Sequence, residues 1–313
     1  MASAGKSSPI PLELSRPLLI GFNGGEQGSR ASMDPFDVEP RETILEIIDD
    51  MLQGRRCLAC LEGEWLFMLE DTSQCFLLSL SSLRKIPLPP LLMPVELLSR
   101  CAISSPTPPE CTIVFSTNED YLVYCRPGDE EWCGLPDETD GTYVLIKGDI
   151  ASARGRMYVP TEVSTFIAID VSMPSSYGVA IERRGIPHPN PMRWRCEERL
   201  VQSDGDILLL QFYIHGFHNS EVVDMDIHRL DTSAYIWNKV ESIGDRTIFV
   251  SDNNCVVLSS ASRAGVRPGN VYLLHKHCRQ GVRLYTIRLH DRTMSCALLP
   301  VSYDDMYWVV PSR

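Results

Sequence analysis

No stretch of this sequence stays apolar for the roughly 18 residues that a membrane helix needs, and the longer apolar runs, such as Ile207–Leu210, are strand-sized. The N-terminus offers Lys6 followed by Ser and Pro, without the apolar core of a signal peptide, and Glu13, Glu26 and Asp34 argue against an Arg-rich transit peptide. No Asn-x-Ser/Thr acceptor occurs. The cysteines number 11, an odd count, and Cys75, Cys111, Cys125 and Cys296 sit within apolar runs where a thiol behaves as a small buried hydrophobe. Together these features predict reduced thiols and a cytoplasmic or nuclear protein.

Positive charge is also scarce. Against 41 acidic residues stand 29 basic ones, a formal net charge of −12. Such a surface repels phosphate backbones and anionic lipid unless a basic patch overrides it. The basic clusters Arg55-Arg56, Arg84-Lys85, Arg183-Arg184 and Arg193 with Arg195 are short and do not interleave with aromatics. Nucleic acid and membrane are therefore excluded as expected partners. Catalytic signatures are missing too: there is no Gly-x-Ser-x-Gly, no P-loop and no His-Glu-x-x-His. Gly24-Gly25-Glu26-Gln27-Gly28 lacks the Lys-Ser/Thr that would hold phosphate and metal, and reads as a linker. No catalytic, cofactor-binding or metal-binding residue is assigned, and the chain is not expected to be an enzyme.

Residues 1–40 are rich in Ser, Pro and Gly and read as a disordered segment. Residues 41–56 carry the one helical pattern: Ile44, Leu45, Ile47, Ile48, Met51 and Leu52 recur at helical spacing, and Gly54 suits the end. That short amphipathic helix packs on the following domain or docks a partner. Residues 57–313 read as one β-rich domain.

The β-rich part repeats. A polar turn holding Gly precedes a strand at Glu62-Gly63-Glu64, Arg154-Gly155-Arg156, Asp204-Gly205-Asp206 and Pro268-Gly269-Asn270. Third strands can be anchored at Phe76, Tyr121 and Phe166, 45 residues apart, then at Met225 and Leu284 after intervals of 59. Propeller blades recur at about 40–50 residues, to which loop insertions add. A four-stranded blade cannot bury both faces alone, but stacked radially against neighbours it can. The predicted fold is an all-β, kelch-like β-propeller of five four-stranded blades. Six is the alternative count, because Thr247–Val250 fits no place in the repeat. Met306–Val310 is expected to close the ring by pairing near the start of the domain.

These residues resemble the plant F-box-associated propellers of the KIB type, a domain of unknown function. The carrying pieces are Leu200–Leu209, Ile227–Asp231, Trp237–Val240, Ser242–Val250, Gly269–Tyr272 and Trp308–Pro311. The resemblance implies a recognition module, in many members joined to an F-box that docks onto the Skp-type linker of a cullin ubiquitin ligase. Residues 1–56 contain no Leu-Pro start followed by three helices, so no F-box is seen. Met93–Leu98 mimics an F-box opening but lies between two repeats, as a connecting loop.

Four groups carry residual chemistry. Cys57-Leu58-Ala59-Cys60 has metal or redox spacing, yet strand residues three apart point to opposite faces. His275, His277 and Cys278, with Cys255, offer ligand types. His215, His218 and His228 lie near Glu221, Asp224 and Asp226. Asp129-Glu130-Glu131 with Asp137, Glu138 and Asp140 forms either a soluble edge or a steering surface for a basic partner. In each case the core, turn or solvated reading is preferred. The expected function is a non-enzymatic protein–protein interaction module, with candidate contact loops Ile214–Val223 and Ser259–Pro268. The alternatives are a small-ligand or enzymatic propeller using the central channel, and a degraded relative without function.

Overall fold

The computed structural model describes residues 16–22, 30–33, 55–70, 73–104, 108, 110–119, 121–134, 148–161, 165–171, 180–189, 196–216, 221–277, 281–299 and 305–310. The first blade is β3 (Arg56–Leu61), β4 (Trp65–Leu69), β5 (Cys75–Ser79) and β6 (Lys85–Pro87). The second is β7 (Leu98–Ile103), β8 (Ile113–Thr117), β9 (Leu122–Cys125) and β10 (Cys133–Gly134). The third is β11 (Ala151–Ala153), β12 (Arg156–Thr161), β13 (Thr165–Asp170) and β14 (Ala180–Pro187). The fourth is β15 (Cys196–Ser203), β16 (Asp206–His215), β17 (Glu221–Asp231) and β18 (Ile236–Val240).

The fifth blade has one strand more. Its order is β20-β19-β21-β22-β23, from β19 (Thr247–Val250), β20 (Cys255–Leu258), β21 (Asn270–His277), β22 (Gly281–Arg288) and β23 (Met294–Leu298). Thr247–Val250 is thus the extra strand, and β21 runs parallel to it. A parallel neighbour needs a crossover rather than a hairpin. The segment 259–269 supplies it, which accounts for the long final interval and makes Pro268-Gly269 the end of a crossover instead of a hairpin turn.

The last place in the ring is filled by a three-stranded sheet of β24 (Asp305–Val309), β1 (Leu18–Phe22) and β2 (Arg30–Met33). β24 therefore pairs antiparallel with β1, from Leu18↔Val309 to Phe22↔Asp305, and not with the strand that opens at residue 56. This corrects both the closure partner and the expectation of disorder at Leu18–Phe22. The Leu18-Leu19-Ile20 triplet is only 2% exposed at each residue, a short apolar run hidden in a Ser/Pro/Gly-rich neighbourhood. The expected helix falls largely on residues outside those described, but Arg56 at its end already belongs to β3. Among the described residues one 3-10 turn, Val95–Leu97, is the single helical element; it links the first two blades, where a connecting loop was expected.

The first strands β3, β7, β11, β15, β20 and β24 touch in succession around an axis. Between neighbouring sheets lie six apolar clusters, one at each junction. Strand alternation feeds two of them at once: Tyr307 and Val309 face the first blade, while Met306, Trp308 and Val310 face the fifth. Blades are spaced by rigid side chains, such as Phe67 edge-on to Phe115 at 4.9 Å.

The Gly-bearing turns have one cause. Glu62 and Gly63 (φ 50° and 70°), Arg154 and Gly155 (54° and 76°), and Asp204 and Gly205 (51° and 81°) are consecutive left-handed pairs. Two such residues make the two-residue hairpin whose twist matches the strands it joins. At Gly63 a Cβ would also lie 2.7 Å from a Val310 methyl, so the turn fixes where the chain end packs.

Candidate functional site

Four charged side chains meet at one mouth of the axial channel, one from each of four successive blades. Arg100 extends from β7, Asp149 precedes β11, Arg199 extends from β15, and Asp252 sits in the β19–β20 turn. Asp149 lies 3.2 Å from Arg100 Nε and 3.9 Å from Arg199 Nε, and its Oδ2 accepts the Leu200 N–H at 3.2 Å. Arg199 Nη2 is 3.7 Å from Asp252 Oδ1, and Arg100 donates to the Asp252 carbonyl. Burial pulls the Arg199 guanidinium down, but Asp149, Glu197 and Asp252 hold it above its ordinary value. Its Nε is buried without a hydrogen-bond acceptor. The adjoining cavity is about 50 Å³, lined in part by Cys60, Gln202, Asn254 and Cys255; that is space for water-sized occupants. The two carboxylates are engaged with the two arginines, so the cluster joins blades by charge pairing. Sequence reading missed it, although the four positions follow at intervals of 49, 50 and 53 residues, the blade period itself.

The residues singled out from sequence are distributed differently. A register shift between Cys57 and Ala59 places Cys57 opposite Met68 and Cys60 opposite Leu66. The bulge therefore turns both thiols to the same face, against the expectation of opposite faces. Both are buried there with Tyr307 and Val309, and Cys60 Sγ lies 3.6 Å from the Trp308 carbonyl. Burial pushes the Cys60 thiol up to about 12. All ten described cysteines are free. Thiol labelling of the native chain near pH 8 is expected to modify exposed Cys296 first, with Cys57 and Cys60 protected until unfolding. Rapid native modification of Cys60, located by peptide mass spectrometry, would contradict this packing.

His275 is buried, edge-on to Tyr285 and 3.8 Å from Glu197, whereas Cys255 lines the small cavity beside Asp149. The side chains of His277 and Cys278 lie outside the described residues. His215 and Glu221 pair across the far end of the β16–β17 hairpin, and His218 is not among the described residues. His228 and Asp226 instead share a face of β17 with residues that sequence did not single out. Glu198 lies 2.7 Å from His188 Nε2 and accepts from Gln211 Nε2 at 2.7 Å. Burial lowers the His228 pKa, and its Nδ1 has no partner. Asp226, although partly desolvated, is held below the usual carboxylate range by Lys239, Tyr213 and Arg292. Among the described residues no group of His, Cys, Asp and Glu is arranged to hold a metal ion.

Asp129 is exposed and accepts the Arg126 N–H at 2.7 Å, so it shapes a turn; Asp137, Glu138 and Asp140 are outside the described residues. The Arg55 and Lys85 clusters are not open basic patches, since both cations bind Glu70, at 2.6 and 2.8 Å. Of the expected contact loops, Ile214, His215 and Glu221 to Val223 belong to the two strands of a lengthened hairpin, and residues 217–220 lie outside those described. Ser259–Pro268 is the crossover of the fifth blade, pinned by buried Ala261 and Val266 and by Ser262 on Asp245.

A cleft of about 450 Å³ lies between the outer strands of the fourth and fifth blades. Val223, Asp224 and Met225 line one side, and Leu289, Arg292 and Met294 the other.

With this geometry, the sequence matches the family described as the KIB1-4 beta-propeller over residues 36–295. The chain belongs to that family. None of the curated proteins matches it in sequence. Among solved structures it is similar to TolB from Acinetobacter baumannii, at 12% identity and TM-score 0.50, over 96% of this chain and 68% of that one. The N-terminal domain of Nup159 matches at 8% identity and TM-score 0.37, over 80% of this chain and 75% of that one. At these identities the likeness concerns the fold alone. No helix among the described residues is long and apolar enough to cross a membrane.

Proposed function

We propose that this KIB-family propeller is a non-enzymatic, kelch-like module that recognises another protein. The observation that carries the reading is the cleft between the fourth and fifth blades. A rigid scaffold holds it open at about 450 Å³, and its lining mixes apolar and charged side chains, the combination that gives a protein surface both adhesion and selectivity. The membership supports the same role, since related propellers resemble the substrate-selecting arm of F-box ligases. Affinity capture of the tagged full-length chain from cells that express it, with mass spectrometry, is expected to return one reproducible protein partner. Co-recovery of the Skp-type linker and a cullin would extend the role to a ligase; absence of any reproducible partner would overturn it.

The convergence of Arg100, Asp149, Arg199 and Asp252 favours a second reading, a small ligand or a reaction at the channel mouth. It predicts that denaturing the natively purified chain releases a stoichiometric small molecule. An extract without one opposes it.

A further inference from the structure

The outer edge of β17 is only half covered. β16 pairs with it from Glu221 to Arg229, but β18 reaches only from Ile227 to Asp231. Val222 to Asp226 therefore have no neighbouring strand on that side among the described residues. The backbone of Met225 shows what this leaves: its N–H is taken by the Asp224 carboxylate at 2.8 Å and its carbonyl by Arg292 at 3.1 Å. Two side chains stand where a strand would.

Arg292 does so from the fifth blade. Its Nη2 lies 2.5 Å from Asp224 and 3.5 Å from Asp226, although the residue is half exposed. Its backbone is held at φ 55°, a region that L residues other than Gly rarely adopt. Beside this plug stand exposed Val223, 57% accessible and without a register partner on β16, and half-buried Leu289 and Met294. Glu241, exposed on the cleft wall, makes no ion pair with any described residue.

We propose that this edge is a peptide-docking site, in which an extended, basic and apolar segment of a partner protein adds as a strand to β17. The inference rests on the interaction-module reading and names its surface. The occupant's chemistry follows from the intramolecular stand-in: a cation already bridges Asp224, Asp226 and a strand carbonyl, and an incoming Lys or Arg reproduces those contacts. Glu241 takes a second cation, and alternate apolar side chains lie on Val223, Leu289 and Met294. Strand addition draws its affinity from main-chain hydrogen bonds and its selectivity from alternate side chains. Arg292 then acts as the guard that keeps the edge from indiscriminate pairing.

The test uses the full chain and a fluorescent hexapeptide alternating Lys or Arg with Val, read by anisotropy. Binding is expected, with affinity about tenfold lower when alternate peptide amides are N-methylated, which removes strand-type donors while keeping charge. Arg292→Gly is expected to tighten binding, because it removes the plug and suits the left-handed turn. Asp224→Lys is expected to abolish it. Equal binding of the N-methylated peptide or of a Glu/Val counterpart would overturn the proposal, as would no binding to either the parent chain or R292G. If affinity capture still returns the same partner from the Asp224→Lys chain, the edge is excluded while the module reading stands.

Discussion

Replacing Trp308 by Ala is expected to destabilise the propeller by about 3–5 kcal/mol, the usual cost of truncating a fully buried large aromatic. Trp308 is 0% exposed. Its ring packs against Phe249 at 5.0 Å, and its Nε1–H donates to the Val250 carbonyl at 2.9 Å. The backbone around it is equally committed, because Asn254 exchanges hydrogen bonds with both the Trp308 N–H and carbonyl. The side chain thus holds β24 to the fifth blade, while Tyr307, beside it, holds the same strand to the first. A ring has one closure, and here it joins residues at opposite ends of the described chain. For a domain of this size each kcal/mol lowers the melting temperature by roughly 2–4 °C, so W308A should melt about 6–20 °C lower in a thermal scan. Tyr307→Ala should give a similar loss through the other junction. Deleting residues 1–22, which removes β1, should be at least as damaging. A melting temperature unchanged in all three variants would mean that the closing sheet contributes little.

The repeat was legible because each blade is built from the same local chemistry. Left-handed Glu62-Gly63, Arg154-Gly155 and Asp204-Gly205 turns and strand-length apolar runs are properties of adjacent residues. Of the five third-strand anchors, Phe76, Phe166 and Met225 fall in third strands, whereas Tyr121 just precedes β9 and Leu284 falls in β22, the fourth strand of its sheet. What was not legible depends on residues far apart. The pairing of Leu18–Phe22 with Asp305–Val309 cannot be inferred from a five-residue apolar run embedded in Ser, Pro and Gly. Thr247–Val250 was out of place because its partners, β20 and parallel β21, follow a different order in space than in sequence. The bulge at Leu58 reversed the faces of Cys57 and Cys60, since one extra residue shifts every side chain beyond it. The open edge of β17 was invisible for a related reason: it arises from how far β18 extends, which no residue of β17 encodes. The family resemblance, by contrast, was carried by short pieces in fixed order, and the family match covers most of the same span.

Asp149→Ala should separate the two meanings of the channel-mouth cluster. Asp149 is 14% exposed and Arg199 12%, so removing the carboxylate leaves a largely buried guanidinium without one of its two aspartate counterions. Breaking such a pair from one side typically costs about 3–5 kcal/mol. Arg100, at 28% exposure, regains some solvent, and Asp252 remains 3.7 Å from Arg199, so the lower part of that range is expected. The double variant Asp149→Leu with Arg199→Met removes both charges and fills the same space with apolar atoms. It should recover most of the lost stability, because desolvating the pair is then no longer required. Equilibrium denaturant unfolding of the two variants and the parent measures this directly. A large loss in D149A that the double variant repairs identifies the cluster as a strut between blades. If D149A unfolds like the parent, the charges are not holding the ring together, and their convergence is better explained by an occupant of the channel.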